Sequence, residues 1–311
     1  MIQNASFTVT EEEAGERLDC LLASHFPSST RAFCRRAIEE GHITINHAPC
    51  IKGIKPRTND QIQVHLLLEQ SDNRVIPDAN MDVAIVYCDA ALIAASKPAG
   101  QAVHPNSCTE HDTLMNGLVA RYPELAEIGD QPLMAGALHR IDGETSGLVL
   151  AARTPATFQC LRDQFVAQSV RKIYIALVEG HVAHSGLIKH HLAHHPKFRG
   201  KMVDVKTLTA PDRALYAETA YEPVERLGPY TLLKVTIFTG VTHQIRCQLS
   251  LAGFPIVNDT LYGARPFPSS TRHYLHAAEA HLLHPLTREP FTVTAPLTDD
   301  FTALIAQLKG K

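Results

Sequence analysis

Apolar residues first recur at helical spacing between Arg17 and Phe26, at Leu18, Leu21, Leu22 and Phe26. That spacing puts them on one face of a helix, which Pro27 ends. Ser28, Ser29 and Thr30 offer capping hydroxyls for a second helix with Phe33, Ala37 and Ile38 on one side, and Gly41 suits the position just past its end. The period then changes to two, at Ile43 and Ile45 and again at Ile62, Val64 and Leu66, as in half-buried strands. Residues 1–70 are therefore expected to form a small α/β module, with the polar stretch 71–80 as a linker. From 81 to 311 the pattern is dominated by short β-like runs: Val83–Tyr87, Leu92–Ser96, Leu148–Arg153, Lys172–Val178, Thr231–Phe238 and Tyr274–Leu283. Helical spacing intervenes after Thr154-Pro155, where Phe158, Leu161 and Phe165 share a face, and from about Thr242 to Ala252, before Gly253. Strands outnumber helices without alternating with them. This predicts an α+β domain on a mainly antiparallel mixed sheet and disfavours a doubly wound parallel one.

Composition changes this picture little. Of 311 residues, 45% are hydrophobic and 20% charged, enough to bury a core in each part. The net charge of −3 does not announce a nucleic-acid binder, so the placement of charge matters more than its sum. On the second helix Arg31 and Arg35 lie four apart with Arg36 beside them, either a solvated face or a small phosphate-contacting surface. Seven widely spaced cysteines without a CxxC predict a reduced, cytoplasmic chain rather than a disulfide framework or zinc site. The first residues lack a signal-peptide pattern, and the apolar stretch Val83–Ala95 is too short to span a bilayer. With no P-loop or dinucleotide fingerprint, no cofactor is expected. His190, His191, His194 and His195 make two pairs at i and i+4 that could hold a metal, but no cysteine or carboxylate accompanies them in sequence, and no metal is expected.

The most informative segment for chemistry is Leu138–Leu150, LHRIDGETSGLVL. Asp142-Gly143 is a turn signal directly ahead of an apolar strand, and Gly147 adds a second flexible point. Arg140 lies two residues before Asp142, so in extended backbone both side chains point the same way. Alone, Asp-Gly before a strand reads as a turn and nothing more. Three further segments change that weighting: SKPAGQAVHP (96–105), RKIYIALVEG (171–180) and GVTHQIRCQLSLAGFPIVNDTLYG (240–263), in which His243 and Arg246 are expected on one helical face.

Together these blocks resemble the RluA family of pseudouridine synthases, whose pattern runs KPxGxxVHP, HRLDxxTSGLLL, KxYxALV and GRTHQIRxHxxxxGxPIxGDxxYG. The likeness covers most of residues 82–290, and PKFRGKM (196–202) is similar to a basic insert of that family. The first module resembles the α-L RNA-binding domain first seen in a ribosomal small-subunit protein, through Arg17-Leu18-Asp19, Thr30-Arg31, Ile38-x-x-Gly41 and Asn59-Asp60-x-Ile62-x-Val64. The resemblance implies a catalytic carboxylate at Asp142, a salt-bridge partner at Arg246, and at Tyr174 an aromatic that stacks on the base and is a candidate for the final proton removal. It further implies RNA contacts from Arg140 and from the Arg31, Arg35, Arg36 face. Of the other polar residues in these blocks, Lys97 is read as a phosphate contact, His243 as an RNA contact and His104 as structural. Departures occur at Val241, where the family usually has Arg, at Asn258 before Asp259, where it often has Gly, and at Asn46-His47 in the module's hairpin, where Asn-Gly is frequent.

Such an enzyme breaks the uracil–ribose bond, turns the base, and rejoins it through carbon. A carboxylate suits this either by attacking the anomeric carbon or by helping to remove a sugar proton. A guanidinium beside it favours the ionised form. The target base must leave its stack, and Arg140 could fill the space. The expected substrate is RNA, ribosomal (large-subunit) first and transfer RNA second, and the expected state is a monomer. Two other readings stand beside this one: a non-catalytic RNA-binding or ribosome-assembly factor, and a glycosidase-like hydrolase with Glu144 as a second carboxylate.

Overall fold

The computed structural model describes residues 1–198, 200–208, 213–268 and 270–310. Its contacts separate into two units, Met1–Arg74 and the chain from Val75 onward. The first unit comprises β1 (Ile2–Thr8), α1 (Leu18–His25), α2 (Arg31–Glu39), β2 (Ile43–Ile45), β3 (Ala48–Pro49) and β4 (Gln61–Leu67). Its sheet has the order β1-β4-β2-β3. Leu18 and Leu22 of α1 and Cys34, Ala37 and Ile38 of α2 share one core with Ile43, Ile62, Val64 and Leu67. Helix α2 is capped as its sequence predicts. Thr30 Oγ1 accepts from Phe33 N at 3.2 Å. Past the other end, Gly41 N donates to Ile38 O and His42 N to Ala37 O, a Schellman closure with Gly41 at φ +79°. At the end of β4 the buried residue is Leu67, not Leu66.

The second unit contains β5 (Ala84–Cys88), β6 (Leu92–Lys97), α3 (Leu114–Arg121), β7 (Ser146–Ala152), α4 (Pro155–Val166), β8 (Arg171–Glu179), β9 (Gly186–His194), β10 (Met202–Asp204), β11 (Leu215–Leu227), β12 (Tyr230–Ile237), α5 (Gln244–Leu251), β13 (Leu275–Leu283), β14 (Pro290–Thr294) and α6 (Asp299–Lys309). The strands form one ten-stranded sheet in the order β10-β9-β11-β12-β8-β13-β7-β6-β5, with β14 also on β13. Every described pairing is antiparallel except β13 with β7. The fold class is thus the mixed, mainly antiparallel α+β arrangement that the pattern predicts. Every residue of β7 is buried, which is why it reads as a continuous apolar run rather than an alternation.

The unit boundary, between Arg74 and Val75, falls inside the expected linker. Both flanks are well anchored. Gln70–Asp72 make a helical turn, with Asp72 2.6 Å from the N-terminal ammonium. Val75 is 1% exposed in the core of the second unit.

Sheet register sets up the site. Tyr174 on β8 lies opposite Val235 on β12 and Ala277 on β13. The start of β13 runs parallel to the start of β7, with His276 beside Ser146. The turn that feeds β7, the first half of β8, the end of β12 and the loop leading to α5 therefore meet at one end of the central strands.

Candidate active site

Asp142 occupies a turn closed by Thr145 N donating to Asp142 O at 3.1 Å. Ile141 before it is buried, so Arg140 and Asp142 are both directed away from the core and both line the same groove. The turn is fastened on two sides. On one, Lys97 Nζ donates to the carbonyls of Pro98 (2.8 Å), Gln101 (2.6 Å) and Gly143 (2.9 Å). On the other, the His273 ring meets Thr145 Oγ1 at 2.9 Å and Glu144 Oε2 at 3.1 Å. The expectation that Lys97 contacts phosphate is corrected here. Its side chain is 0% exposed and its three N–H groups are already spent, so it is an internal strut. Burial also pushes it down to about 7. Glu144 is held by His273, whose hydrogen bond keeps the carboxyl below its ordinary range. This engages the one residue on which a two-carboxylate hydrolase reading relied.

Arg246 reaches the turn from α5. Its Nη1 donates to Asp142 Oδ2 at 3.0 Å, while Nε and Nη2 grip Asp259 at 2.7 and 2.9 Å. Arg246 is 7% and Asp259 2% exposed. Burial opposes the guanidinium charge, but the hydrogen bond to Asp259 and the charges of Asp259 and Asp142 outweigh it and raise Arg246 above its ordinary value. The face of Tyr262 supports the guanidinium at 5.2 Å. Tyr174, 7% exposed, lines the same groove, and burial followed by the Asp142 charge raises its phenol, so it stays protonated at neutral pH.

His243 also approaches Asp142, with Nε2 3.8 Å from Oδ2 and Nδ1 3.0 Å from the Tyr262 hydroxyl. It does not share a helical face with Arg246 as expected. It is the residue before α5, in left-handed backbone at φ 51°. Burial is the main reason that its ring titrates below the usual range. Arg140 is exposed, its Nη1 3.5 Å from His104 Nε2. These groups line a groove of about 1110 Å³, somewhat larger than small-ligand sites usually are. Asp142, Tyr174, Arg246, Arg140 and His243 all lie in it, whereas Lys97 does not.

The other expected RNA contacts are on α2. Arg31 Nε binds the buried Asp19 at 2.8 Å while remaining half exposed. Arg36 Nε pairs with Glu40 at 2.6 Å. Arg35 Nε is buried without a hydrogen-bond partner. Two of these guanidiniums are therefore partly committed within the unit. In the histidine-rich stretch, His190, His191 and His194 lie on β9 and not on a helix. Positions i and i+4 on a strand are roughly 13 Å apart, which removes the basis for reading them as ligand pairs. A carboxylate does accompany one of them, since His190 Nε2 is 3.6 Å from Asp204. Within the 196–202 insert, Arg199 lies outside the described residues.

The family model described as RNA pseudouridylate synthase matches residues 91–251, about half of the chain. The chain belongs to the RNA pseudouridine synthases. An S4 domain model matches residues 16–62. An uncharacterised RNA pseudouridine synthase of Chloroflexus aurantiacus is 36% identical over 97% of this chain and 93% of its own length. The ribosomal large subunit pseudouridine synthase D of Pseudomonas aeruginosa is 33% identical over 99% and 97%. Among solved structures, human RNA pseudouridylate synthase domain containing 4 has a TM-score of 0.57 at 22% identity, covering 73% of this chain and 93% of that one.

Within the synthase, sequence reasoning missed the roles of Asp259, Tyr262 and His273. Asp259 and Tyr262 lie in the block that drew attention to Arg246, so their position was a signal. The departures are accommodated locally. Val241 packs against the cluster of Leu192, Met202, Ala217, Cys247 and Tyr262. Asn258 adopts φ 66° in place of Gly, and its side chain binds Phe267 N and the carbonyls of Ser270 and Arg272. Asn46 and His47 both take positive φ, as a two-residue hairpin turn requires.

Proposed function

We propose that this synthase converts uridine to pseudouridine in large-subunit ribosomal RNA, with Asp142 as its catalytic carboxylate. The observation that carries the assignment of Asp142 is the buried Asp259–Arg246–Asp142 chain of charges ending in the groove beside Tyr174. In the reaction the C1′–N1 bond breaks, C1′–C5 forms, a proton leaves C5, and N1 gains one. Asp142 has the charge either to attack C1′ or to take a proton from the sugar. Arg246 orients it and balances its charge. Tyr174 stacks on the uracil ring and, as a neutral phenol, donates to it. Arg140 and His243 border the place where the extruded nucleotide enters, and Arg140 fills the vacated stack. In the first unit, Arg31, Arg35 and Arg36 present the RNA-contacting face. The preference for large-subunit RNA over transfer RNA rests on relatives so named, such as the Pseudomonas aeruginosa enzyme. The proposed setting is the cytoplasm, in keeping with a ribosomal substrate, and the proposed state is a monomer.

The test is incubation of the purified chain with unmodified large-subunit rRNA and with transfer RNA transcripts, followed by mapping of pseudouridine. Modification of discrete rRNA uridines by the wild type, abolished by Asp142→Asn while RNA binding persists, is the expected outcome. Modification of transfer RNA alone overturns the substrate. Activity that survives Asp142→Asn overturns the role of Asp142.

A further inference from the structure

Lys172 stands two residues before Tyr174 on β8 and lines the same groove. The two side chains leave the same face of the strand, roughly 7 Å apart along it. Lys172 is 8% exposed. Its Nζ donates to Thr239 O at 3.0 Å and lies 5.7 Å from the centre of the Phe165 ring. Burial pushes its ammonium down to about 8, and it makes no ion pair with a carboxylate among the described residues. The nearby His139 is a neutral ring that accepts a hydrogen bond from Leu150 N. Lys172 therefore differs from Lys97, whose three N–H groups are all taken by carbonyls. It is an ammonium at the wall of an open groove with donors to spare, a placement that costs stability unless an anion arrives.

Gly240 supplies the second observation. Its φ is not in the left-handed region, so nothing in the backbone requires glycine there. A Cβ built at that position would meet only one atom within 4 Å, Lys172 Nζ at 3.6 Å. Gly240 is exposed and lines the groove. The missing side chain thus leaves the ammonium uncovered from the groove side.

We infer that Lys172, kept open by Gly240, anchors a backbone phosphate of the substrate RNA next to the nucleotide whose base enters the Asp142 pocket. The inference rests on the synthase reading of the groove. A phosphate fits better than the reacting base or sugar. Lys172 Nζ is fastened to Thr239 O, just past the end of β12, whereas Asp142 is held by Arg246 of α5, so the ammonium and the proposed reacting carboxylate are anchored by different parts of the groove wall. An RNA strand that delivers its uridine to Asp142 has a phosphate on either side of it, and Lys172 offers the point charge that such an oxygen pairs with.

The test uses the full chain and large-subunit rRNA transcript, comparing wild type with Lys172→Met, Lys172→Arg and Gly240→Ala. KM and kcat are measured for pseudouridine formation, and Kd for binding, across a series of salt concentrations. Lys172→Met is expected to raise Kd and KM about tenfold and to reduce the slope of log Kd against log salt by about 0.7–0.9, the value for one phosphate, with kcat within about twofold. Lys172→Arg restores the slope. Gly240→Ala, which meets no steric obstacle in the fold, raises KM several-fold at unchanged melting temperature. A fall in kcat with Kd and slope unchanged places Lys172 at the reacting nucleotide and overturns the inference. So does a Lys172→Met protein that binds with the wild-type slope. Should the wild type make no pseudouridine, the enzymatic reading of this chain fails by itself, and the binding slopes still decide the phosphate contact.

Discussion

Arg246 spends donors on two carboxylates at once, and the asymmetry between them matters. Asp259 is held through two parallel N–H···O bonds and Asp142 through one. The fork fixes the guanidinium plane, so the arm toward Asp142 keeps its aim, as the proposed catalytic role of that carboxylate requires. A lysine cannot substitute, since a point charge on a flexible stem holds neither direction nor plane. His139, three residues before Asp142, does a different task. Its Nε2 accepts the Leu150 N–H at 3.1 Å, which ties the approach of the turn to β7. Its ring stacks on Phe165. Burial, and then the Lys172 charge, push it down to about 3. The folded pKa lies below that of the unfolded chain, so the unfolded state takes up the proton first as pH falls. The stabilisation is complete above about pH 6.5 and is lost progressively toward the folded value. His139→Gln, which keeps an acceptor without the titration, is expected to flatten the dependence of unfolding free energy on pH between about 6.5 and 5. Urea denaturation at a series of pH values reads this out, and equal slopes for the two proteins would exclude the effect.

At the scale of elements, the parallel contact of β7 with β13 depends on Gly147. Its φ is +109°, and a Cβ there would stand 2.2 Å from Ala277 O. Gly147→Ala must part the two strands, at a cost of about 4 kcal/mol or more. The expected result is a large fall in melting temperature together with loss of activity, because the Asp142 turn feeds β7 and His273 leads into β13. An alanine variant with wild-type melting would show that the strands tolerate separation. The turn residue was legible as Asp-Gly, but the reason for Gly147 was not, since the strand it approaches is some 130 residues away. Other elements sort by the same logic. Helix α4 announced itself through the Thr154 cap, Pro155 and one apolar face, and the central strands through unbroken apolar runs. Helix α3 did not, because it is buried from Leu114 to Val119 and shows no polar face to set a period. Strand β9 exposes Lys189, His191 and His194, which blurs its alternation, and β1 lies at a sheet edge with weak alternation. Lys97 was misread because a lysine after a strand suggests a surface, and only the fold reveals three carbonyls converging on it.

For the whole molecule, charge does not explain attraction to RNA. The first unit carries eight Lys and Arg against ten Asp and Glu, and two of its guanidiniums, those of Arg17 and Arg31, are paired with the buried Asp19. The proposed contact through α2 therefore rests on the placement of a few groups rather than on a general positive field. The second unit has its own core, including Val75, and all of the groove residues. A chain beginning at Val75 is therefore expected to fold and to retain kcat on rRNA transcript, with KM raised several-fold. Kinetics on the two forms measure this, and an equal KM would remove the first unit from substrate binding. The position of β13 has a consequence in time as well as in space. It is made late, yet it lies between β7 and β8, so until it docks, the strand fed by the Asp142 turn and the strand bearing Tyr174 have no shared neighbour to hold them together. A chain still emerging from the ribosome therefore brings the proposed site residues Asp142 and Tyr174 onto one continuous sheet only once β13 has left the tunnel.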